Sequence, residues 1–307
     1  MRSRGIGAVL LTAWTLGVAA AQGPVFEAGT ELVRVTVSVV DRDGQPVPGL
    51  TARDFAVEED GVPQQIRTFV RGDDPAPDLP THLGLLFDTS GSMGDDIELS
   101  RTAAIRFLNG LPEAADMTLV DFDSEVRVTR FGQADFPRLV ERIRERRPRG
   151  LTALYDALGV YLDGASSNEG RTILVVYTDG GDTQSALSYR DTLALVRTSD
   201  VTVYVVGFLS RQSGVGRLQQ RAMLSQLAEA SGGLAYFPGG LRDVDQAYAQ
   251  ILAQVRGQYT LGYVSTNTAA DGQWREVGLR LTRTDLSRVR LLARDGYFAR
   301  LDPVAVP

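Results

Sequence analysis

The sequence predicts an α/β fold in which a doubly wound, mainly parallel sheet is inserted into a small discontinuous all-β domain. Three observations lead there. Between residues 81 and 257, short apolar runs alternate with amphipathic stretches, the pattern of strands buried on both faces with helices packed over them. On either side the pattern changes to period-two alternation broken by Gly, Asp and Asn turns. Each flanking piece has too few strands for a core of its own, so the two are expected to pair.

Composition narrows the function classes before any motif is read. The 307 residues, 43% apolar and 23% charged, describe a globular chain of about two domains. No cysteine occurs, which excludes disulfides, thiolate metal sites and cysteine nucleophiles. The single histidine, His82, excludes any site needing two, and its place after a linker reads as an ordinary boundary position. All 32 basic residues are arginine, so Schiff-base and P-loop lysine chemistry is absent. A net charge of −6 argues against binding nucleic acid or an anionic membrane through the overall field.

Residues 1–21 read as a signal peptide. Arg2 and Arg4 precede an apolar run from Ile6 to Val18 that ends in Ala19-Ala20-Ala21. An anchor is the rival reading, but the run is short for a bilayer span and holds Thr12, Thr15 and Gly17. No second long apolar run follows, so the mature chain is expected to lack a membrane span. Its place would be periplasmic, cell-surface or secreted.

Residues 25–70 are the N-terminal part of the β-domain. Glu31 to Val40 alternates like a half-buried strand, Asp41 to Gly44 turns, and Asp54–Gly61 with Gln64–Val70 reads as a hairpin around Asp60-Gly61. Asp41 and Asp43 lack the further ligands of a calcium loop, which leaves a β-turn. Residues 71–80, dense in Pro, Asp and Gly, are a linker; the Arg71-Gly72-Asp73 within it resembles an integrin ligand, but chance explains it more cheaply.

Residues 81–257 carry the order β-α-β-β-α-α-β-α-β-α-β-α. Strands are expected at Leu83–Phe87, Met117–Phe122, Val126–Phe131, Thr172–Tyr177 and Val201–Phe208, and helices at Asp95–Asn109, Asp135–Arg146, Ala153–Leu162, Arg190–Arg197, Arg217–Ala230 and Arg242–Val255. Residues 258–300 return to β, with strands at Tyr259–Val264, Trp274–Leu281 and Val289–Phe298.

The chemistry gathers where apolar runs end. Asp88-Thr-Ser90-Gly-Ser92 follows the first strand, and its alternate oxygen-bearing side chains can converge in a tight turn around Gly91. Thr152 begins a helix and Asp179, followed by Gly180, ends another buried run. All three loops fall on the carboxyl edge of a parallel sheet, where ligands bind in such folds. Oxygen donors of this kind suit Mg²⁺ or Mn²⁺. Each loop alone also reads as a cap or turn. Asp121 and Asp123 read as a hairpin turn, Asp95 and Asp96 as a helix start, and the basic run Arg142–Arg149 as a solvated helix face that could also hold an acidic partner.

In this order and context, Asp88-x-Ser90-x-Ser92, Thr152 and Asp179-Gly180 resemble the complete metal-ion-dependent adhesion site of the von Willebrand factor type A domain family, over roughly residues 81–256. The β pieces, particularly Gly44–Thr51 and Arg294–Tyr297, are similar to secreted bacterial proteins related to that family. The resemblance implies a divalent cation, Mg²⁺ or Mn²⁺, held by Asp88, Ser90, Ser92, Thr152 and Asp179. Neutral hydroxyls and water-mediated aspartates leave that ion electropositive, and an Asp or Glu carboxylate of a partner protein completes its shell. The expected function is an exported, metal-dependent, adhesion-type binding module and not an enzyme. Two rivals stand beside it: a structural component of an envelope or secreted assembly, and a metal-dependent hydrolase for which Asp182 is the one nearby candidate base.

Overall fold

A computed structural model describes residues 32–72, 80–111, 114–210, 212, 214–286 and 288–301. The expected signal peptide and residues 73–79 of the expected linker lie outside the described residues. The chain opens with β1 (Leu32–Val40), β2 (Phe55–Glu59), β3 (Val62–Gln64) and β4 (Ile66–Arg71). The α/β region follows, with β5 (Thr81–Asp88), α1 (Ile97–Asn109), β6 (Asp116–Phe122), β7 (Val126–Gly132), α2 (Phe136–Glu145) and α3 (Leu154–Ala165). It continues with β8 (Arg171–Thr178), α4 (Tyr189–Thr198), β9 (Val201–Gly207), α5 (Gly214–Ala230), β10 (Ala235–Tyr236) and α6 (Leu241–Gly257). The last strands are β11 (Tyr259–Val264), β12 (Trp274–Leu281), β13 (Arg290–Leu292) and β14 (Gly296–Phe298).

The central sheet has the order β10-β9-β8-β5-β6-β7, parallel except for β7, which pairs back on β6. Period-two alternation sends neighbouring side chains of each strand to opposite layers. Leu83, Leu85 and Phe87 pack with α1, α2 and α6, whereas Leu86 packs with α3, α4 and α5. The expected fold is therefore observed, with helices on both faces. Because β6 lies on one side of β5 and β8 on the other, the direction of winding reverses at the β5–β8 gap. The sixth strand of the expected order, β10, is only two residues long, too short to leave an apolar run.

The flanking pieces interleave strand by strand. One antiparallel sheet runs β13-β1-β11-β4 and the other β14-β12-β2-β3, so each holds strands from both ends of the chain. Val33, Val35, Val37, Phe55, Tyr259, Leu261 and Val277 share their buried core. Two expected strands prove to be pairs. Gln64–Val70 divides at Gln65 into β3, which makes the hairpin with β2 across the left-handed Asp60-Gly61 turn, and β4, which crosses to pair with β11. Val289–Phe298 likewise divides into β13 and β14, one in each sheet. Alternation gives the face of a strand but not the sheet to which it belongs.

The buried Arg171, at the start of β8, donates to the Val255 carbonyl at the end of α6 and to Gln258 Oε1 (3.1 Å). Gln258 in turn donates to Tyr204 Oη (3.1 Å) and Ser38 Oγ (3.3 Å), which ties the amino edge of the central sheet to β1. His82, far from the opposite edge, pairs its ring nitrogens with Asp116 Oδ2 and the Glu169 carbonyl, each at 2.9 Å. Among the described residues no helix is long and apolar enough to cross a membrane.

Candidate functional site

Asp88 is the last residue of β5 and is fully buried. Its Oδ1 accepts the Ser90 N–H (2.9 Å) and its Oδ2 accepts the Thr178 hydroxyl (2.6 Å) from the adjacent strand β8. Burial pushes its carboxyl up to about 6, against the pull of those hydrogen bonds. Ser90 Oγ lies 3.1 Å from Ser92 Oγ, and the exposed Ser92 hydroxyl favours the charged form of the Asp179 carboxylate. Asp179 follows β8 directly, and burial raises it as well, with Asp96 at the start of α1 adding like charge. Hydrogen bonds thus join Asp88, Ser90 and Ser92 in one string and tie Asp88 across to Thr178 of β8, the residue before Asp179.

Thr152 joins through its backbone. Its N–H donates to Thr183 Oγ1 (3.0 Å), and its carbonyl accepts from the N–H groups of Thr183 (2.9 Å) and Gln184 (3.0 Å). Its loop is also stitched to the first one, because Gly91 N–H donates to the Gly150 carbonyl (3.1 Å) and Arg149 N–H to the Thr89 carbonyl (2.8 Å). The Thr152 hydroxyl has no hydrogen-bond partner among the described residues. Two glycines make this geometry possible. Gly150 has φ +69° with Ser124 Oγ 2.7 Å from where a Cβ would lie, and Gly180 has φ +90° with Leu224 at 3.1 Å.

The donors are two carboxylates and three hydroxyls, and among the described residues no trio of His, Asp or Glu gathers into a cage. No arginine counters either buried acid among the described residues. A hard divalent cation fits this set: it takes oxygen donors, keeps waters in its remaining positions and supplies the positive charge that the two carboxylates lack. Asp182 is otherwise engaged. Its Oδ2 accepts from Tyr155 N–H (3.1 Å) and Ser185 Oγ (2.6 Å), which fixes the start of α3.

A second acidic pair stands at the end of the next strand. Asp121 and Asp123, 0% and 3% exposed, bracket the end of β6. Asp121 takes Arg127 Nε and an Arg146 terminal nitrogen, both at 2.7 Å, while Asp123 takes Arg127 at 2.8 and 3.1 Å and Arg149 Nε at 3.2 Å. Burial works against the Asp123 carboxylate, but these bonds hold it below the ordinary range, and the Asp123 bond holds Arg127 above its own. The expected hairpin turn is present, yet its aspartates also anchor arginines. The signal was available: a turn centred on Ser124 sets Asp121 opposite Arg127, the register observed. Thr178 had no such signal, because nothing in the sequence aims its hydroxyl at β5. The basic run leaves the helix at Glu145, so Arg146–Arg149 is a loop and not a helix face.

Residues 82–250 match the family model of the von Willebrand factor type A domain. No curated protein matches. Among solved structures, the chain is similar to a von Willebrand factor type A protein from Catenulispora acidiphila (13% identity, 91% of this chain and 76% of that one, TM-score 0.47). It is also similar to the PilB minor pilin from Streptococcus sanguinis (14%, 60% and 63%, TM-score 0.48). A third likeness is to the vWF domain of the type V pili tip protein Mfa5 from Porphyromonas gingivalis (13%, 57% and 96%, TM-score 0.45). The chain spans less than two thirds of the pilin's length.

Proposed function

Because the chain belongs to the von Willebrand factor type A domain family, we propose that it is a metal-dependent protein-binding module of the adhesion type. Asp88, Ser90, Ser92, Thr152 and Asp179 hold Mg²⁺ or Mn²⁺ at the carboxyl edge of the sheet, and an Asp or Glu carboxylate of a partner protein docks there. The bound cation supplies an electropositive point for that carboxylate. The residues of this chain do the rest: the string from Asp88 to Ser92, tied to β8 through Thr178, sets the donors, Gly150 and Gly180 bring their loops close, and exposed Ser92 keeps the edge open.

One observation carries the reading: two buried carboxylates stand among hydroxyls and are met by no basic side chain among the described residues. Exposed apolar side chains suit a protein ligand. Leu151, next to Thr152, is 51% exposed, and Val215 and Leu218 in the first turns of α5 are 80% and 67% exposed. Asp182 already positions the start of α3 through Tyr155 N–H and Ser185, a structural role that supports recognition over hydrolysis. The export signature of residues 1–21 supports a periplasmic, cell-surface or secreted protein.

Calorimetric titration with magnesium chloride tests the site. The wild type is expected to bind one ion and Asp88→Ala none. Equal affinity in the two proteins overturns the assignment. Partner capture that persists in chelator would instead favour a structural component whose metal braces loops.

A further inference from the structure

Beside the metal loops lies a pocket of about 240 Å³ whose walls include Arg127, Arg146, Arg147 and Arg149, with Thr89 at its rim. Its acidic lining is Asp123 and Glu145. Thr89 sits between Asp88 and Ser90, and Arg149 lies three residues before Thr152, so the pocket and the metal donors share two loops.

The arginines are not equivalent. Arg127 and Arg146 are occupied by Asp121 and Asp123. Arg149, with a side chain 69% exposed, gives only Nε to Asp123 and keeps both terminal nitrogens free of described partners. Arg147 is exposed and makes no ion pair or hydrogen bond with a described residue. Pro148 keeps this stretch from resuming the helix. It disfavours helical backbone at Arg147, and with the helix ended at Glu145 and Arg146 already extended, Arg147 and Arg149 lie on a loop that lines the pocket. A positive pocket on a chain of net charge −6 marks this edge out for an anion.

We propose that Arg147 and Arg149 bind a second carboxylate of the same partner, so that this edge reads a peptide segment with two acids. One acid docks at the cation site and the other in the arginine pocket; only the first depends on the metal reading above. A planar guanidinium matches a carboxylate in bidentate geometry, and the buried aspartates behind the pocket hold its arginine walls in place.

The test uses the full mature chain and synthetic capped peptides, glycine-based, with one Glu or with a second Glu one to four residues further on. Affinities are measured in saturating Mg²⁺ and in chelator. At least one two-acid peptide is expected to bind about tenfold more tightly than the one-acid peptide, the worth of one charge-assisted contact. Arg147→Glu should abolish that gain while leaving one-acid binding and magnesium affinity as they are, and Arg149→Ala should reduce it. Thermal unfolding of Arg147→Glu should match the wild type, since its side chain holds no described residue. A gain that survives both variants, or no preference for two acids, overturns the proposal; if one-acid binding still needs Mg²⁺, the metal reading stands alone. Acid binding that ignores chelator but fails in Arg147→Glu supports the pocket and removes the metal reading. Failure of every acidic peptide to bind removes both. A sulfated oligosaccharide that outcompetes the two-acid peptides at Arg147 shows that the pocket serves another class of partner and overturns the peptide reading.

Discussion

Two pairs of aspartates stand at the ends of adjacent strands, and the protein meets their charge in opposite ways. Asp121 and Asp123, after β6, are enclosed by Arg127, Arg146 and Arg149. Asp88 and Asp179, after β5 and β8, have hydroxyls and backbone amides for company and no cation from the chain among the described residues. A buried carboxylate without a counter-charge costs several kcal/mol or takes up a proton. Here the pKa directions diverge accordingly, with Asp88 and Asp179 raised and Asp123 lowered. The closed pair has what it needs for stability from within. The open pair lacks that neutralisation, and it stands where the winding of the sheet reverses, the usual ligand position in folds of this kind.

The largest expected effect comes from opening the closed pair. Arg127→Met leaves both aspartates buried and under-neutralised, and urea unfolding should show a loss of about 3 kcal/mol, as for other broken buried pairs. A loss below about 1 kcal/mol would mean that Arg146 and Arg149 suffice and that the pair is not held by Arg127. The next effect has the opposite sign. In chelator at pH 7.5, Asp88→Asn removes an unmatched buried charge and should stabilise the protein by about 2 kcal/mol. The raised carboxyl fixes the pH window. Its penalty is full above about 6, shrinks as the pH falls through that value, and is gone below the ordinary value of 3.8 where the unfolded chain is protonated too. If Asp88→Asn instead destabilises at pH 7.5, the open pair has a counter-charge of its own and the contrast fails.

Much of this was legible because it depends on local pattern. Asp88 and Asp179 fall at the ends of apolar runs, so their place on the sheet edge follows from strand assignment, and Thr152 follows from a helix start. The two layers of helices also follow from period. What local pattern leaves open is which strand pairs with which. β3 and β4 are separated by Gln65 alone yet lie in different sheets, and β13 and β14, with three residues between them, are parted between the sheets as well. The Thr178 hydroxyl on Asp88 depends on β8 lying beside β5, a contact between residues 90 positions apart. The role of Asp121 lay between these extremes, since hairpin register sets it opposite Arg127 but nothing local brings Arg146 to its other oxygen.

The smallest effect tests whether the lowered carboxylate behaves as the mirror of the raised one. Asp123 accepts two bonds from Arg127, one from Arg149 and the Glu125 N–H (2.9 Å). Asp123→Asn keeps an acceptor there and removes the charge, so the wild type should exceed it by about 1 kcal/mol at neutral pH. A carboxyl held below its unfolded value gives stability that is complete above the unfolded pKa and is lost as the pH falls through the folded one. The difference between wild type and Asp123→Asn should therefore stay flat from pH 7 down past 5 and shrink only below 3.8, where the Asp88→Asn difference has already vanished. Urea unfolding of the three proteins at stepped pH in chelator checks both curves together. If the Asp123 difference declines between pH 7 and 5, its arginines do not neutralise it, and the two pairs are variants of one open site.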